Sequence, residues 1–403
     1  MMLLAFRVKN FLSFREEAIL DLRPNDNIKT RPTHILQDNY EALKTIPIYG
    51  ANASGKSNLI LAISYMREFI LFSIFGPPYK NVIGKFVPFS FDYNEAPTEL
   101  EMMFYFEGRR YLYGFSIHKH KIAGEWLDID DVSVFSRERD KIISANAALS
   151  NASYNTDYLF LVALWRILSI EDRVALIGNM ELFFKTNLLC LNPRTVGAFS
   201  PTSIIYSSRL YKEQAFQNTI LSFLKLADPT IASFDFYEDT VFNEDSNKPE
   251  AMLQMRFVHK FYSGDGEFVK AYPLPLSCES AGTLQLLIFI QLITKFTEDG
   301  GVLVIDELSA HLHPLLVEYI LNYLQRESNT KAQLIYSTHS AETMSNQFRE
   351  DECYLVEKDE KGCSSLYSLA AFSNLPADRS EAYLQGRFGA VPKIPPSFYQ
   401  RGL

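Results

Sequence analysis

Gly50-Ala51-Asn52-Ala53-Ser54-Gly55-Lys56-Ser57 follows the pattern G-x-x-x-x-G-K-[ST]. It lies between a short apolar run, Thr45 to Tyr49, and an apolar stretch of helical spacing from Ser57 to about Phe75. A strand, a glycine-bearing loop and a helix, in that order, are the context a phosphate-binding loop requires. Glycine lets the backbone wrap closely around phosphate, where a Cβ would clash or forbid the dihedrals. Amide N–H groups then converge on the anion at a helix N-terminus, whose dipole favours negative charge. This reading puts Gly50, Asn52, Ala53, Ser54, Gly55, Lys56, Ser57 and Asn58 around a chain of phosphates. Lys56 would bridge the β- and γ-phosphates and Ser57 would set its hydroxyl on Mg²⁺. A chance glycine loop is the competing reading, and the two flanking elements weigh against it.

Further along, Val302-Leu303-Val304-Ile305 is an apolar run that ends in Asp306-Glu307. A strand buried on both faces needs such a run, and its C-terminal edge is where α/β sheets hold ligands. Asp306 is expected to orient Mg²⁺ through water, and Glu307 to poise the water that attacks a γ-phosphate in line. Simple helix capping by Asp306 is the duller alternative. Glu279-Ser280-Ala281-Gly282-Thr283 opens another helix upstream, and Ser280 with Gly282 would make an anion site there. One chain already has its phosphate loop, so a second site makes sense if it faces the phosphate held by another molecule; a plain N-cap explains Ser280 equally well. His339, in Leu334-Ile335-Tyr336-Ser337-Thr338-His339-Ser340, sits at a strand end where it can sense the γ-phosphate. A lone histidine is more often structural, but the order of the other motifs favours the sensing role.

The bulk composition leaves room for this chemistry. Apolar residues form 47% of the 403, enough for a packed core rather than a disordered chain. The net charge of −9 argues against a surface coated for nucleic acid, although a local basic groove is compatible with it. The four cysteines (Cys190, Cys278, Cys353, Cys363) show no metal-ligand spacing and read as reduced thiols. The N-terminal apolar run is too short for a signal peptide, and Phe69 to Phe75 too short for a membrane span. A soluble cytoplasmic protein is expected. Strands are expected over residues 3–22, 100–105, 111–118 and 126–129, helices over 157–187 and 213–226, and strands again over 252–258 and 267–272. A helix over 282–296 precedes a βαβαβ order: 302–305, 314–326, 333–336, about 341–348 and 353–356. That order implies a mostly parallel sheet with right-handed crossovers.

With these motifs in place, the chain resembles the ABC-type ATPase heads of the RecF, SMC and OLD families. Gly50–Ser57 resembles Walker A, Glu279–Thr283 a degenerate signature, Ile305-Asp306-Glu307 Walker B, Ser309–Pro314 a D-loop, and Ser337–Ser340 the switch-histidine motif. Val8-Lys9-Asn10-Phe11-Leu12-Ser13-Phe14 is similar to the strand that opens RecF-like heads, and the tail Glu381–Pro392 looks like that of bacterial RloA-like ATPases of phage-defence loci. The resemblance implies an α/β ATPase head with a mixed, largely parallel sheet. Residues 1–124 and 236–375 would form the head, 125–235 a mainly helical insertion, and 376–403 a tail. It also implies ATP and Mg²⁺ as cofactors, ATP hydrolysis with Lys56, Glu307 and His339 in catalytic roles, and Ser57 with Asp306 on the metal. A homodimer, or a higher even-numbered assembly, would form through the ATP sites and control a separate effector, a nuclease or toxin, in antiphage defence. A RecF-like DNA-repair ATPase is the alternative, with Arg109, Arg110, Lys119, Lys121, Arg137 and Arg139 on phosphates. The signature reads Glu-Ser-Ala-Gly-Thr, so an alanine follows Ser280. Glu125 is the candidate for the lobe-coupling position. Only about fifty residues follow Glu352, too few for the fused nuclease domain of OLD proteins.

Overall fold

The computed structural model describes residues 1–75, 87–89, 96–144, 158–191, 208–243, 248–344 and 347–392. The chain starts with β1 (Met2–Lys9), which pairs antiparallel with β2 (Ala18–Asp21). A small hairpin, β3 (Ile35–Gln37) with β4 (Glu41–Leu43), leads into β5 (Thr45–Tyr49) and helix α1 (Lys56–Phe75). Strands β6 (Thr98–Phe106), β7 (Arg109–His118), β8 (Lys121–Ile129), β9 (Val132–Glu138) and β10 (Lys141–Ser144) follow as consecutive hairpins. With β1 and β2 they form a seven-stranded antiparallel sheet, ordered β10-β9-β8-β7-β6-β1-β2.

The second half supplies the sheet that carries the motifs. After α2 (Phe160–Ile167) and α3 (Ile170–Ile177), β11 (Leu188–Leu191) takes its edge. Helix α4 (Gln214–Ala227) then precedes a separate three-stranded sheet of β12 (Ile231–Asn243), β13 (Lys248–Tyr262) and β14 (Phe268–Pro275). Helix α5 (Ala281–Asp299), β15 (Gly301–Ile305), α6 (Pro314–Gln325), β16 (Ala332–Ser337), β17 (Tyr354–Lys358), β18 (Ser364–Ser368) and α7 (Arg379–Leu384) complete the chain. The central sheet runs β11-β15-β16-β5-β17-β18; the first five strands are parallel and β18 returns antiparallel.

Strands β5, β15 and β16 are buried along their whole length, as apolar runs with no polar face must be. Their side chains alternate between two cores. Ile46, Ile48, Val302, Val304 and Ile335 face α1 and the antiparallel sheet. Leu303, Ile305, Leu334 and Tyr336 face α4, α5 and α6. Helix α1 buries Leu59, Ile60, Ile63, Met66, Phe69 and Ile70 between two sheets and leaves only a narrow, partly exposed stripe through Leu61, Tyr65, Glu68 and Phe72. Each such side chain contributes about 1.5–3 kcal/mol on burial, so packing rather than helix propensity holds α1.

Four expectations are corrected. The expected insertion does not start at 125: the strand expected over 126–129 lies within β8, and β9 and β10 follow it, with Leu127, Ile129 and Phe135 alternating inward to continue the antiparallel sheet. β11, inside the same expected insertion, belongs to the central sheet. The single helix expected over 157–187 is broken, because the Ser169 hydroxyl accepts from the Asp172 amide to cap α3 and Gly178, at φ 63°, ends it; Asp157 itself lies outside the described residues. In place of a helix over 341–348 there is a 3₁₀ turn, Ala341–Thr343, where the Thr343 hydroxyl bonds back to the Ser340 carbonyl; residues 345–346 lie outside the described residues. β12 was not anticipated, since acidic residues (Asp235, Glu238, Asp239) mask its alternation. No described helix is long and apolar enough to cross a membrane.

Candidate functional site

The loop Gly50–Gly55 leaves the C-terminal end of β5 and enters α1, where the twist of the sheet opens a crevice. A Cβ on Gly50 would drive into the Val356 carbonyl of β17, and one on Gly55 (φ 118°) into the Ser364 hydroxyl. Gly50 is therefore fixed by close approach of backbone, and Gly55 by its positive φ and by the Ser364 and Ser13 side chains. The Ser364 hydroxyl donates to the Ser54 carbonyl at 2.5 Å, while the Ser364 amide donates to the Ser13 carbonyl at 2.7 Å. Asn58 Nδ2 donates to Ser13 Oγ at 2.7 Å. The opening segment of the antiparallel sheet and the β17–β18 hairpin thus clip the loop from two sides.

Lys56 Nζ folds back over the loop, donating to the carbonyls of Gly50 (2.7 Å) and Ala51 (2.9 Å). It also lies 3.3 Å from His339 Nδ1. Burial lowers the Lys56 ammonium to about 8, against the opposing pull of Asp306 and Glu307. His339 is lowered as well, first by burial and then by the Lys56 charge, which keeps the imidazole neutral. A neutral ring accepting at Nδ1 carries its proton on Nε2, and that nitrogen is 3.7 Å from Glu307 Oε1.

The acid pair is locked by a serine. Ser337 Oγ donates to Asp306 Oδ1 at 2.5 Å and accepts from the Glu307 amide at 2.8 Å. Ser57 Oγ donates to the same Asp306 oxygen at 3.2 Å. Glu307 sits in the left-handed region, φ 59°, a conformation that costs a non-glycine residue about 1 kcal/mol or more and turns the chain off the end of β15. Asn52–Asn58, Glu307, His339 and Lys358 line one cleft of about 450 Å³. The structure therefore brings Lys56, Ser57, Asp306, Glu307 and His339 together.

The donor set suits Mg²⁺. A hydroxyl and a carboxylate are hard oxygen ligands, and Mg²⁺ takes one or two protein oxygens, completing its shell with phosphate and water. No group of three or more His, Cys, Asp or Glu placed to hold a metal ion occurs among the described residues.

Ser280 and Gly282 are not among the residues lining this cleft. Ser280 Oγ caps α5 by accepting from the Thr283 amide at 3.1 Å. Gly282 lies against the loop after β15: a Cβ there would stand 2.6 Å from the His311 carbonyl. Glu279, just before them, pairs with His259 Nε2 of β13 at 2.9 Å, tying the segment to the three-stranded sheet. Ser309 and Thr338 hydroxyls, 3.0 Å apart, join the loop after β15 to the histidine segment.

One sequence expectation fails here. Glu125 is wholly buried in β8, away from the cleft, where it accepts from Tyr113 Oη (2.9 Å) and from the amides of Phe160 (2.5 Å) and Leu161 (3.0 Å). It caps α2, whose own first residues offer no side-chain cap, and does not couple lobes at the nucleotide. The basic set divides: Arg109 and Arg110 pair with Asp130 and Asp131, while Lys119, Lys121, Arg137 and Arg139 line one pocket, where Arg137 is buried beside Glu125. The sequence reading missed Lys358, Ser364 and Ser337 as site residues. Lys358 ends a buried strand beside Walker A, a pattern that flags it once β17 is aligned with β5.

The chain belongs to the family described as "AAA domain, putative AbiEii toxin, Type IV TA system", whose model matches residues 48–155 and 197–345. Among solved structures, an SMC head bound to the C-winged helix domain of ScpA is 14% identical with a TM-score of 0.51, covering 91% of this chain and 97% of that one. The SMC head domain from Thermotoga maritima is 14% identical with a TM-score of 0.42, over 91% and 99%. An Smc head domain with an extended coiled coil, bound to the C-terminal domain of ScpA derived from Pyrococcus furiosus, is 14% identical with a TM-score of 0.45, over 91% and 96%. At such identity the likeness is one of fold, and the fold is that of the ABC-type P-loop ATPase head. No curated protein matches the chain.

Proposed function

We propose that this chain binds ATP and Mg²⁺ at Gly50–Asn58, hydrolyses ATP, and works as a nucleotide-driven switch. The observation that carries the reading is the continuous contact Ser57–Asp306–Ser337–Glu307–His339–Lys56 around one cleft. In it Lys56 holds phosphate, Ser57 and Asp306 hold the metal, and Glu307 orients the attacking water. His339, neutral with Nε2–H directed toward Glu307, reports the γ-phosphate. Ser280 and Gly282 face the phosphate of a second copy, so that two heads close on two ATP molecules and open on hydrolysis. The closed state controls a separate effector, a nuclease or toxin, in antiphage defence. Support for the last step is the family's toxin description, the RloA-like tail, and the partner named for the SMC head. Lys56→Ala tests the base of the scheme. It should abolish binding of a fluorescent ADP analogue, and unchanged tight binding would refute the phosphate-loop assignment.

A further inference from the structure

The segment 379–392 lies beyond the family match, yet it is built into the phosphate loop. Tyr383, on α7, is 5% exposed and packs its ring on Tyr49, the residue just before Gly50, with centroids 5.9 Å apart. Its hydroxyl donates to the Ala390 carbonyl at 3.1 Å and faces the Gly50 backbone amide. Burial raises this phenol to about 12, so the hydroxyl keeps its proton throughout the physiological range. The carbonyl of the same Gly50 accepts from Lys56 Nζ at 2.7 Å. A tail residue thus borders the glycine whose carbonyl holds the phosphate-binding lysine.

The rest of the tail is pinned where it meets β17 and β18. Gly389, at φ 69°, has no room for a side chain: a Cβ would stand 2.7 Å from Glu357 Oε2 and 2.8 Å from Tyr367 Oη. The Tyr367 hydroxyl donates to the Phe388 carbonyl at 2.9 Å, and the Phe388 ring packs on Phe372. Ala390, Val391 and Pro392 then form one wall of a cleft of about 570 Å³, with Ala51–Ser54 of the phosphate loop opposite. That cleft shares Asn52, Ala53, Ser54 and Lys358 with the phosphate cleft, so the two are separated only by the loop itself.

We propose that residues 379–392 are a positioning clasp for the nucleotide site, in which Tyr383 sets the first turn of the phosphate loop through Gly50. The inference rests on the reading of Gly50–Asn58 as a nucleotide site. Tyr383 does not touch nucleotide; it fixes the Tyr49–Gly50 peptide, the one that precedes the carbonyl holding Lys56. The test measures the Kd of a fluorescent ADP analogue for wild-type protein, Lys56→Ala and Tyr383→Phe, alongside thermal unfolding without nucleotide. Loss of the hydroxyl that faces Gly50 and ties α7 to Ala390 should weaken the Tyr383→Phe Kd about fivefold. A Tyr383→Phe that only lowers the unfolding midpoint and binds ADP like wild type overturns the clasp while leaving the nucleotide site intact. Wild-type protein with no Lys56-dependent binding would end the underlying reading, and the clasp with it. Should Tyr383→Phe fail to fold, Gly389→Ala displaces the tail from Glu357 and Tyr367 instead. It should weaken the Kd in the same direction, and an unchanged Kd is again fatal.

Discussion

Replacing Ser337 by alanine removes one hydroxyl that serves two partners in the acid pair. Ser337 is fully buried, donates to Asp306 Oδ1 at 2.5 Å and accepts from the Glu307 amide at 2.8 Å. A hydrogen bond to a charged group contributes about 1.5–3 kcal/mol, and an amide left without its acceptor costs about 1–3 kcal/mol. Asp306 keeps Ser57 as a donor, and the adjacent cleft admits water that offsets part of the loss. The expected net destabilisation is about 2 kcal/mol by urea unfolding. The same freedom lets the Asp306 and Glu307 carboxylates drift from their working positions. If the loss falls on the transition state, 2 kcal/mol corresponds to about a 30-fold lower kcat. Steady-state phosphate release with saturating Mg²⁺ and ATP measures it. A Ser337→Ala protein with wild-type stability and wild-type turnover would refute the claim that this serine holds the acid pair.

Three further predictions concern the phosphate loop and the start of α5. Lys56 sits at about 8 in the folded, nucleotide-free chain, below its ordinary 10.5. Below pH 8 the folded state therefore bears a buried charge that burial disfavours, and between pH 8 and 10.5 the unfolded chain binds more protons, so this group makes stability rise with pH across that window. ADP affinity should move the opposite way, weakening about tenfold per pH unit above 8 as the lysine loses its proton; a flat Kd between pH 7 and 9.5 would contradict the lysine's role. Gly282→Ala places a methyl 2.6 Å from the His311 carbonyl, a backbone atom that cannot rotate away. Overpacking of about 1–3 kcal/mol outweighs the gain of up to about 1 kcal/mol in helix propensity, so net destabilisation is expected in urea titration. A more stable Gly282→Ala would show that α5 and the loop after β15 can part. Lys56→Ala, finally, should leave ADP binding undetectable by the same fluorescence titration.

Much of this fold was legible because its strands differ in kind. Val302–Ile305 and Thr45–Tyr49 are continuous apolar runs flanked by glycine or acid, which only a doubly covered parallel strand explains. The motif residues at their ends could then be placed without coordinates. What escaped were features set by tertiary contact. Glu125 carries no signal that it will cap a helix from a neighbouring strand; its partners Phe160 and Leu161 are distant in sequence. Ser364 reaches Ser54 and Ser13 from the far end of the chain, and serine is too common for spacing to single it out. Arg137 read as a surface phosphate contact because a buried arginine is rare without a partner, and its partner was misassigned to the nucleotide. Tyr383 lay in a stretch noted for resemblance alone, with no chemistry attached until Gly50 was found beside it.

The central claim is that Ser280 and Gly282 complete a site whose other half, Lys56 to His339, lies on a second copy. Glu307→Gln tests it most directly, since the amide keeps the shape of the cleft but cannot orient the attacking water as a carboxylate. Mass measured by light scattering during size-exclusion chromatography, with Mg²⁺ and ATP in the buffer, should show a stable dimer for Glu307→Gln. Adding Ser280→Arg to that variant should return it to a monomer. A Glu307→Gln protein that binds ATP and stays monomeric would contradict the composite site.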